Sequence, residues 1–193
     1  MPLNELLKSR PVVAAVKDSA GLDAALASEC QVVSLLFGNI TNIGRLVQRI
    51  KQAGKFAFIH VDLLEGSSNQ EIVINFLKIV TQADGIISTK PAMLKAARLQ
   101  GFYTVHRLFV LDSISFHNLD KQVAQSGPDF VEILPGCMPK VLGWISEKIR
   151  QPVIAGGLVC DEEDARLALG AGAIAVSTTN HQVWSCVTHL TTD

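Results

Sequence analysis

Two short polar segments near the end of the chain are the strongest candidates for binding an anion: residues 155–158 (AGGL) and 177–180 (STTN). Each follows a short apolar run that is typical of a buried strand. The adjacent glycines Gly156 and Gly157 let the backbone approach an anion closely, and exposed N–H groups before a helix can donate to phosphate oxygens. The two segments, with Leu158 included, therefore predict a phosphate-binding site. The alternative is that the glycines only form a tight turn.

A second group of polar residues could face the same ligand. In the run IHVDL, strand alternation places His60 and Asp62 opposite the apolar residues, and Glu132 and Lys17 lie on the corresponding face of their strands. A buried Glu132 needs a cation, which Lys17 or Arg107 could supply. These residues predict either ligand-binding side chains or a satisfied polar network that fills the core. For His60 alone, a structural hydrogen-bonded histidine is the alternative.

The same residues also allow an enzyme hypothesis. Lys17 or Lys90 could form a Schiff base, and His60 with Asp62 or Glu132 could transfer protons. No complete set of nucleophile, base and orienting group can be assigned from their order in the chain. We therefore predict no catalytic residues. The alternative is an aldolase, isomerase or phosphodiesterase that acts on a small phosphorylated substrate.

Four carboxylates could in principle bind Mg²⁺, which prefers oxygen ligands. They are Asp62, Glu65, Asp112 and Glu132, and no two of them have a spacing that is diagnostic of a metal site. Asp112 and Ser113 are better explained as the cap of the following helix. We expect neither a metal nor a bound cofactor.

These residues must be positioned by short apolar runs that alternate with amphipathic stretches and recur roughly every 20–28 residues, the length of one strand plus one helix. The predicted strands are 12–16, 32–37, 56–62, 85–88, 103–110, 130–134, 153–155 and 173–176. Ile43, Leu46, Val47 and Ile50 form one face of a predicted helix, and Asp161 begins another helix with an acid-rich first turn.

Eight such units can close into a barrel or spread into an open doubly wound sheet. An open sheet often has a glycine-rich turn after its first strand, but here that strand runs into Lys17 and Asp18. Polar residues also collect at the C-terminal ends of the strands throughout the series. We predict one domain, residues 1–193, folded as a single (β/α)8 barrel of the TIM type. The loops after the seventh and eighth strands of such barrels frequently hold phosphate.

The composition limits the other partners. With a net charge of -1 and a pI near 6.5, the chain has no overall preference for nucleic acid or anionic membranes. The four cysteines are scattered without a CxxC pair, and no apolar run reaches membrane-spanning length. We expect a cytoplasmic protein with no membrane partner. The sequence is compatible with a homo-oligomer.

Six segments carry a family resemblance, and they occur in one consistent order along the chain. They are IHVDLLEG (59–66), DGIISTK (84–90), HRLFVLDS (106–113), DFVEILPG (129–136), PVIAGGL (152–158) and GAIAVSTTNHQVW (172–184). Over essentially its whole length the sequence resembles the glycerol uptake operon antiterminator family, bacterial regulators that respond to glycerol 3-phosphate. The combination of EILPG, PVIAGGL and AIAVSTTN is the specific part, whereas PVIAGG alone occurs in many phosphate-binding barrels.

The resemblance implies a barrel that binds glycerol 3-phosphate as its effector. It also implies that the liganded protein binds the leader of glycerol-catabolic mRNA and prevents termination. The residues that the resemblance assigns to the phosphate are Gly156, Gly157, Ser177, Thr178 and Asn180. The residues that it assigns to the rest of the pocket are Lys17, His60, Asp62, Arg107 and Glu132, which supply the donors and acceptors that vicinal hydroxyls need.

The chain departs from the family pattern at two places. After Gly66 it reads SSNQ (67–70), where relatives tend to carry a leucine and then an aspartate, and this affects how the third loop closes over a ligand. His106 stands where a glutamine is more usual.

The surface that would bind RNA is the least defined part of the sequence. Arg45 and Arg49 lie one turn apart on the outer face of a predicted helix, with Lys55 beyond them, and form the best small basic patch. Such a pair is more often only a solvated helix face. The sequence has no aromatic RNP pattern and no GXXG module.

Overall fold

Eight parallel strands pair in sequence order, and the last one closes the sheet against the first. The computed structural model describes residues 2–187 and 190. The strands are β1 (Val12–Val16), β2 (Val32–Leu35), β3 (Phe56–His60), β4 (Gly85–Ser88), β5 (Tyr103–Phe109), β6 (Phe130–Leu134), β7 (Val153–Gly156) and β8 (Ala175–Thr178). The predicted (β/α)8 barrel is confirmed.

Helices separate the strands and cover the outside of the barrel. Their bounds are α1 (Leu3–Ser9), α2 (Ser19–Ala27), α3 (Ile43–Gln52), α4 (Ile72–Val80), α5 (Pro91–Leu99), α6 (Ser113–Ser126), α7 (Pro139–Lys148), α8 (Glu162–Gly170) and α9 (His181–Trp184). The Asp112 side chain caps α6 in a reciprocal capping box with Ser115, and Asp161 caps α8. Within the described residues, no helix is long and apolar enough to cross a membrane.

The core has two layers because alternate strand residues point to opposite faces of the sheet. The outer layer packs residues such as Val33 and Ile133 against the helices, including the apolar face of α3 that begins at Ile43. The inner layer fills the barrel with large side chains such as Phe58 and Phe130. Helix α1 closes the N-terminal end, where Leu3, Leu6 and Leu7 pack onto this inner layer. The polar end of the barrel is therefore the C-terminal one.

Two strand boundaries differ from the prediction in ways that affect the site. Strand β3 ends at His60 instead of Asp62, because Val61–Leu63 form one turn of 3-10 helix. Strand β8 runs from Ala175 to Thr178 instead of 173–176, so Ser177 and Thr178 are buried strand residues. The positive φ of Gly172 ends the turn after α8, and Ile174 then connects this turn to β8.

Candidate functional site

A cavity of about 440 Å³ opens at the C-terminal end of the barrel. Its lining comes mainly from β5, β6 and the loops that follow β7 and β8. The lining residues are Ala15, Leu36, Arg107, Glu132, Leu134, Gly157, Leu158, Val159, Cys160, Ser177, Thr178, Thr179 and Asn180. The structure therefore brings both predicted phosphate segments to one cavity, together with two of the five residues predicted for the rest of the pocket.

The floor of this cavity carries a buried ion pair. Arg107 and Glu132 are register partners on β5 and β6, and Arg107 Nε donates to Glu132 Oε2 at 2.6 Å. Their side chains are only 11% and 3% exposed. This hydrogen bond uses one nitrogen of the guanidinium and one oxygen of the carboxylate. Within the described part of the chain, the two Nη atoms of Arg107 and Oε1 of Glu132 have no hydrogen-bond partner.

Gly156 makes room for the glutamate. A Cβ placed on Gly156 would lie 2.6 Å from Glu132 Oε1 and 3.0 Å from its Cδ and Cγ, which is closer than atoms can approach without displacement. Gly156 is the last residue of β7 and is fully paired with Ser177 of β8. Glycine is therefore required at position 156 to leave space for the Glu132 side chain. Gly156 itself does not line the cavity.

The turn after β7 carries the backbone groups that could bind an anion. Gly157 and Leu158 both have left-handed backbones, with φ of 70° and 55°, and Leu158 is the one non-glycine residue with positive φ among those described. The Gly157 carbonyl accepts from the N–H of Gly136 at 2.8 Å, which fixes the turn. In the described structure, the N–H groups of Leu158, Val159 and Thr179 have no hydrogen-bond acceptor.

Thr178 and Asn180 join the two loops to each other. The Thr178 hydroxyl donates to the Val159 carbonyl at 2.7 Å and accepts from the Asn180 N–H at 3.1 Å. The Asn180 amide donates to the Cys160 carbonyl, and its oxygen accepts from the Gln182 N–H at 2.8 Å, which caps α9. These two side chains therefore hold the loops in register, and their polar atoms are already engaged.

Ser177 differs from these two neighbours. It is buried, faces the cavity and is the strand partner of Gly156. Among the residues that the structure describes, its hydroxyl has no hydrogen-bond partner. Of the predicted phosphate side chains, Ser177 is therefore the one whose hydroxyl remains available to a ligand.

His60 lies inside the barrel, buried to 3% exposure. Its Nδ1 has no hydrogen-bond partner within the described residues. Burial and the nearby Arg107 guanidinium lower the pKa of His60 to about 4, although the carboxylates of Asp62 and Glu132 oppose this shift. The imidazole is therefore neutral near pH 7. It is not among the residues that line the cavity.

Asp62 was predicted to face the pocket from β3, and the structure corrects this placement. Its carboxylate accepts from Ser88 Oγ at 2.8 Å, from the Thr89 N–H at 2.7 Å and from Thr89 Oγ1 at 2.9 Å. Burial tends to raise the pKa of Asp62, but these hydrogen bonds outweigh it and hold the pKa below its usual value. Because β3 ends before it, Asp62 leaves the strand alternation and anchors the loop after β4.

The two candidate lysines lie outside the cavity lining. Lys17 follows β1 and is exposed. Lys90 Nζ lies 3.8 Å from Asp62 Oδ1 and donates to Asn69, so it ties the loop after β4 to the SSNQ segment (67–70). A Schiff-base lysine would have to reach a substrate bound in the cavity, beside the Arg107–Glu132 pair. Neither Lys17 nor Lys90 is among the residues that line this cavity.

The possible metal ligands are dispersed. Asp62 is engaged by the loop after β4, Asp112 caps α6, and Glu132 pairs with Arg107. Glu65 is exposed, and its backbone pairs with that of Asn39. Within the described chain, no group of three or more His, Cys, Asp or Glu side chains could hold a metal ion.

The predicted basic patch is smaller than the sequence indicated. Arg49 forms an ion pair with Asp23 of α2, and Arg45 stays exposed. Lys55 was placed beyond them in the patch, but it is buried and donates to the carbonyls of Ala25 and Ser28 at 2.7 and 2.6 Å. It closes the C-terminal end of α2, so it contributes no surface charge.

Sequence reasoning missed several apolar lining residues, among them Leu36 and Leu134. Alternation from Glu132 would have placed Leu134 on the same face. Leu36 follows β2, and only the closed barrel brings it to the cavity. Cys160, to which the sequence analysis assigned no role, is exposed and lines the cavity.

The structure is therefore a (β/α)8 barrel of the TIM type with a cavity at the C-terminal ends of its strands, the end at which barrels of this class carry their sites. A family model for the glycerol-3-phosphate responsive antiterminator matches residues 12–184. This chain therefore belongs to the glycerol-3-phosphate responsive antiterminator family, as its sequence resemblance predicted.

The chain is similar to one curated protein and to two solved structures of antiterminator proteins. The chain is 70% identical over 185 residues to the uncharacterized protein YgcP of Escherichia coli (strain K12), covering 96% of this chain and 97% of YgcP. The crystal structure of a glycerol uptake operon antiterminator regulatory protein from Listeria monocytogenes matches with a TM-score of 0.87 at 29% identity, over 91% of this chain and 95% of that one. An antiterminator-related protein from Thermotoga maritima matches with a TM-score of 0.80 at 35% identity, over 91% and 98% of the two chains.

Enzymes of the same architecture are more distant. A deoxyribose phosphate aldolase from Aeropyrum pernix has a TM-score of 0.69 at 15% identity, over 95% of this chain and 91% of that one. At this level of identity the likeness concerns the fold alone.

Proposed function

We propose that this protein binds glycerol 3-phosphate in the cavity at the C-terminal end of the barrel, and that the liganded form binds leader mRNA of glycerol-metabolism operons as a transcription antiterminator. Family membership supports the regulatory role. The observation that carries the ligand proposal is that unpaired hydrogen-bond donors and an unpaired acceptor lie at different ends of one cavity. Donors lie in the loops after β7 and β8, and an acceptor lies at the floor.

The phosphate end of the ligand fits the donor side. The N–H groups of Leu158 and Thr179, with the Ser177 hydroxyl, can donate to phosphate oxygens. The free Nη atoms of Arg107 add positive charge. Thr178 and Asn180 act as positioning residues, because their hydrogen bonds hold both loops in place.

The hydroxyl groups of the glycerol part fit the floor of the cavity, which the Arg107–Glu132 pair forms. Glu132 Oε1 can accept a hydrogen bond from a ligand hydroxyl, while its other oxygen stays bound to Arg107. A phosphate next to Glu132 would be repelled by its charge. The cavity therefore orients a molecule that is anionic at one end and hydroxylated at the other.

Calorimetric titration tests the ligand. Glycerol 3-phosphate should bind, inorganic phosphate should bind more weakly, and glycerol alone should not bind measurably. Ser177→Ala should weaken binding about tenfold to a hundredfold, as expected for one lost hydrogen bond to a charged group. Ser185→Ala, at an exposed serine outside the cavity, is the matched control. Equal affinity for glycerol 3-phosphate and inorganic phosphate would contradict the proposal that Glu132 binds the hydroxyl groups of the ligand.

Filter binding of leader RNA tests the regulatory step. The ligand can promote RNA binding only if it binds the RNA-competent state more tightly than the other state. RNA affinity should therefore rise when glycerol 3-phosphate is present, and it should fall with increasing salt because phosphate contacts release counterions. Equal RNA affinity with and without the ligand would contradict the gating.

A further inference from the structure

A groove of about 410 Å³ lies on the outside of the barrel, between the C-terminal ends of α5 and α6. Its two charged lining residues are Lys95 and Arg98 of α5, both exposed. Arg98 Nη1 donates to the Gly127 carbonyl at 2.6 Å, which holds the guanidinium against the end of α6. Among the described residues, neither cation is paired with a carboxylate. No lining residue of this groove, which we call the α5–α6 groove, is an acid.

The chain around α5 is free of negative charge. Residues 85–111, which contain the whole of α5, include four cations and neither aspartate nor glutamate. Lys78 at the end of the neighbouring α4 is exposed, and its Nζ lies 4.9 Å from the ring centroid of Phe102, the residue that leads from α5 to β5. Lys78 therefore adds a third cation beside the two that line the groove.

The acids on the α6 side of the groove are engaged with other partners. Asp120 of α6 pairs with Lys148 of α7, with 3.4 Å between Oδ1 and Nζ. Asp129, which follows α6, accepts from the backbone N–H and the hydroxyl of Thr104, both at 2.8 Å. Neither acid lines the groove, so its positive charge is not neutralised by a neighbouring carboxylate.

Other helices differ from α5 in their charge. Helix α3 carries three cations, but Arg49 pairs with Asp23 and Lys51 pairs with Asp84, which leaves one of the three without a carboxylate partner in the described structure. Helix α8 begins with three acids, at residues 162–164. The net charge of -1 therefore conceals an uneven distribution, and an anionic partner is favoured on the α5 side.

We propose that the α5–α6 groove binds the sugar–phosphate backbone of leader RNA. The proposal rests on the proposed function, because it assigns a surface to the RNA that the antiterminator would bind. Lysine and arginine side chains supply most of the sequence-independent affinity for nucleic acid through phosphate contacts. The lining of the groove includes no aromatic side chain on which a base could stack. Contacts at this groove therefore position the RNA without reading its bases.

Strand β5 joins this groove to the ligand cavity. His106 is the neighbour of Arg107 along β5, but it points to the opposite face of the strand and is fully buried. Its Nε2 donates to the Thr89 carbonyl, just before α5, at 3.3 Å. Its Nδ1 shares a hydrogen bond of 2.8 Å with the hydroxyl of Ser126, which lines the groove. A ligand held by Arg107 therefore acts on the strand that also contacts both sides of the groove.

Filter binding of leader RNA in the presence of glycerol 3-phosphate tests the surface. The double variant Lys95→Gln/Arg98→Gln should weaken RNA binding about tenfold, and the slope of log affinity against log salt should become shallower by about 0.7 for each lost phosphate contact. Lys95→Gln alone breaks no hydrogen bond within the described structure, so it provides the same test if the Arg98 substitution destabilises the fold. Arg150→Gln is the matched control, because Arg150 is exposed after α7 and lines neither the groove nor the ligand cavity.

The outcomes separate this surface from the function on which it rests. If the wild-type protein binds leader RNA and the double variant binds it equally well, the groove proposal is wrong and the proposed function stands. If the wild-type protein binds no leader RNA with or without glycerol 3-phosphate, the proposed function fails and this surface with it. If Arg45→Gln weakens RNA binding while the double variant does not, RNA contacts α3 and the groove proposal is wrong.

Discussion

Arg107 Nε lies 2.6 Å from Oε2 of Glu132, and the two residues face each other across β5 and β6 inside the barrel. Below them the barrel is filled by apolar side chains, and above them the ligand cavity opens. The pair therefore forms the boundary between the core and the site. Its stability and its free atoms both matter for the proposed function.

Breaking this pair should destabilise the protein strongly. Glu132→Ala leaves the Arg107 guanidinium buried without its partner, so the free energy of unfolding should fall by about 3–5 kcal/mol. Urea denaturation measures the change. The control is Glu5→Ala, which breaks the exposed Lys8–Glu5 pair and should cost about 0.5 kcal/mol or less. Similar losses in the two variants would mean that the buried pair contributes little.

The fit of Gly156 against Glu132 gives a second prediction. Gly156→Ala should displace the Glu132 carboxylate, lower the free energy of unfolding by about 1–3 kcal/mol and weaken glycerol 3-phosphate binding. Gly170→Ala is the matched control, because a Cβ at Gly170, the last residue of α8, meets nothing within 4 Å. It should leave glycerol 3-phosphate binding unchanged and should not lower the free energy of unfolding, because alanine is favoured over glycine in a helix. Thermal unfolding and calorimetry measure both effects.

The left-handed backbone of Leu158 gives a third prediction. Asparagine tolerates this conformation better than leucine does, and the exposed Leu158 side chain contributes little packing. Leu158→Asn should therefore raise the free energy of unfolding by about 0.5–1 kcal/mol. Leu158→Val should lower it, because β-branched residues are disfavoured at positive φ. An increase on Leu158→Val would show that the turn relaxes to another conformation.

The buried histidine predicts how stability depends on pH. Because burial lowers the pKa of His60 from 6.5 to about 4, the unfolded chain binds a proton in this interval while the folded protein does not. Stability should therefore be retained above pH 6.5 and lost as the pH falls from 6.5 toward 4, by roughly 3 kcal/mol in total. Burial lowers the pKa of His106 as well, so it adds a loss of the same sign.

Denaturation at several pH values checks this dependence. His60→Gln should flatten the curve of stability against pH between 6.5 and 4. His117→Gln, at an exposed histidine of α6, should leave the curve unchanged. If both variants keep the wild-type slope, His60 is not the group responsible.

The barrel and the position of the site could be predicted from the sequence because they depend on local patterns. Apolar runs such as VVAAV and FVEIL recur at the spacing of strand plus helix, and both became strands of the barrel. Two adjacent glycines mark the turn after β7, and the polar run STTN marks the end of β8 and the loop that follows it. Parallel strands bring all their C-terminal ends to one side, so the two segments meet in any closed barrel.

The roles of single side chains were decided by the tertiary structure alone. Thr178, Asn180 and Asp62 were all predicted to contact the ligand. In the structure their polar atoms bond to Val159, Cys160 and Thr89, which lie about 20 residues or more away along the chain, and their contact with a ligand stays a prediction. A polar atom can bind a ligand only if no protein group has already taken its hydrogen bonds, and that depends on which loops pack together. The sequence by itself determined the barrel and the end at which the site lies, whereas only the folded chain decided which donors and acceptors stay free, because neighbours that are distant in sequence compete for each of them.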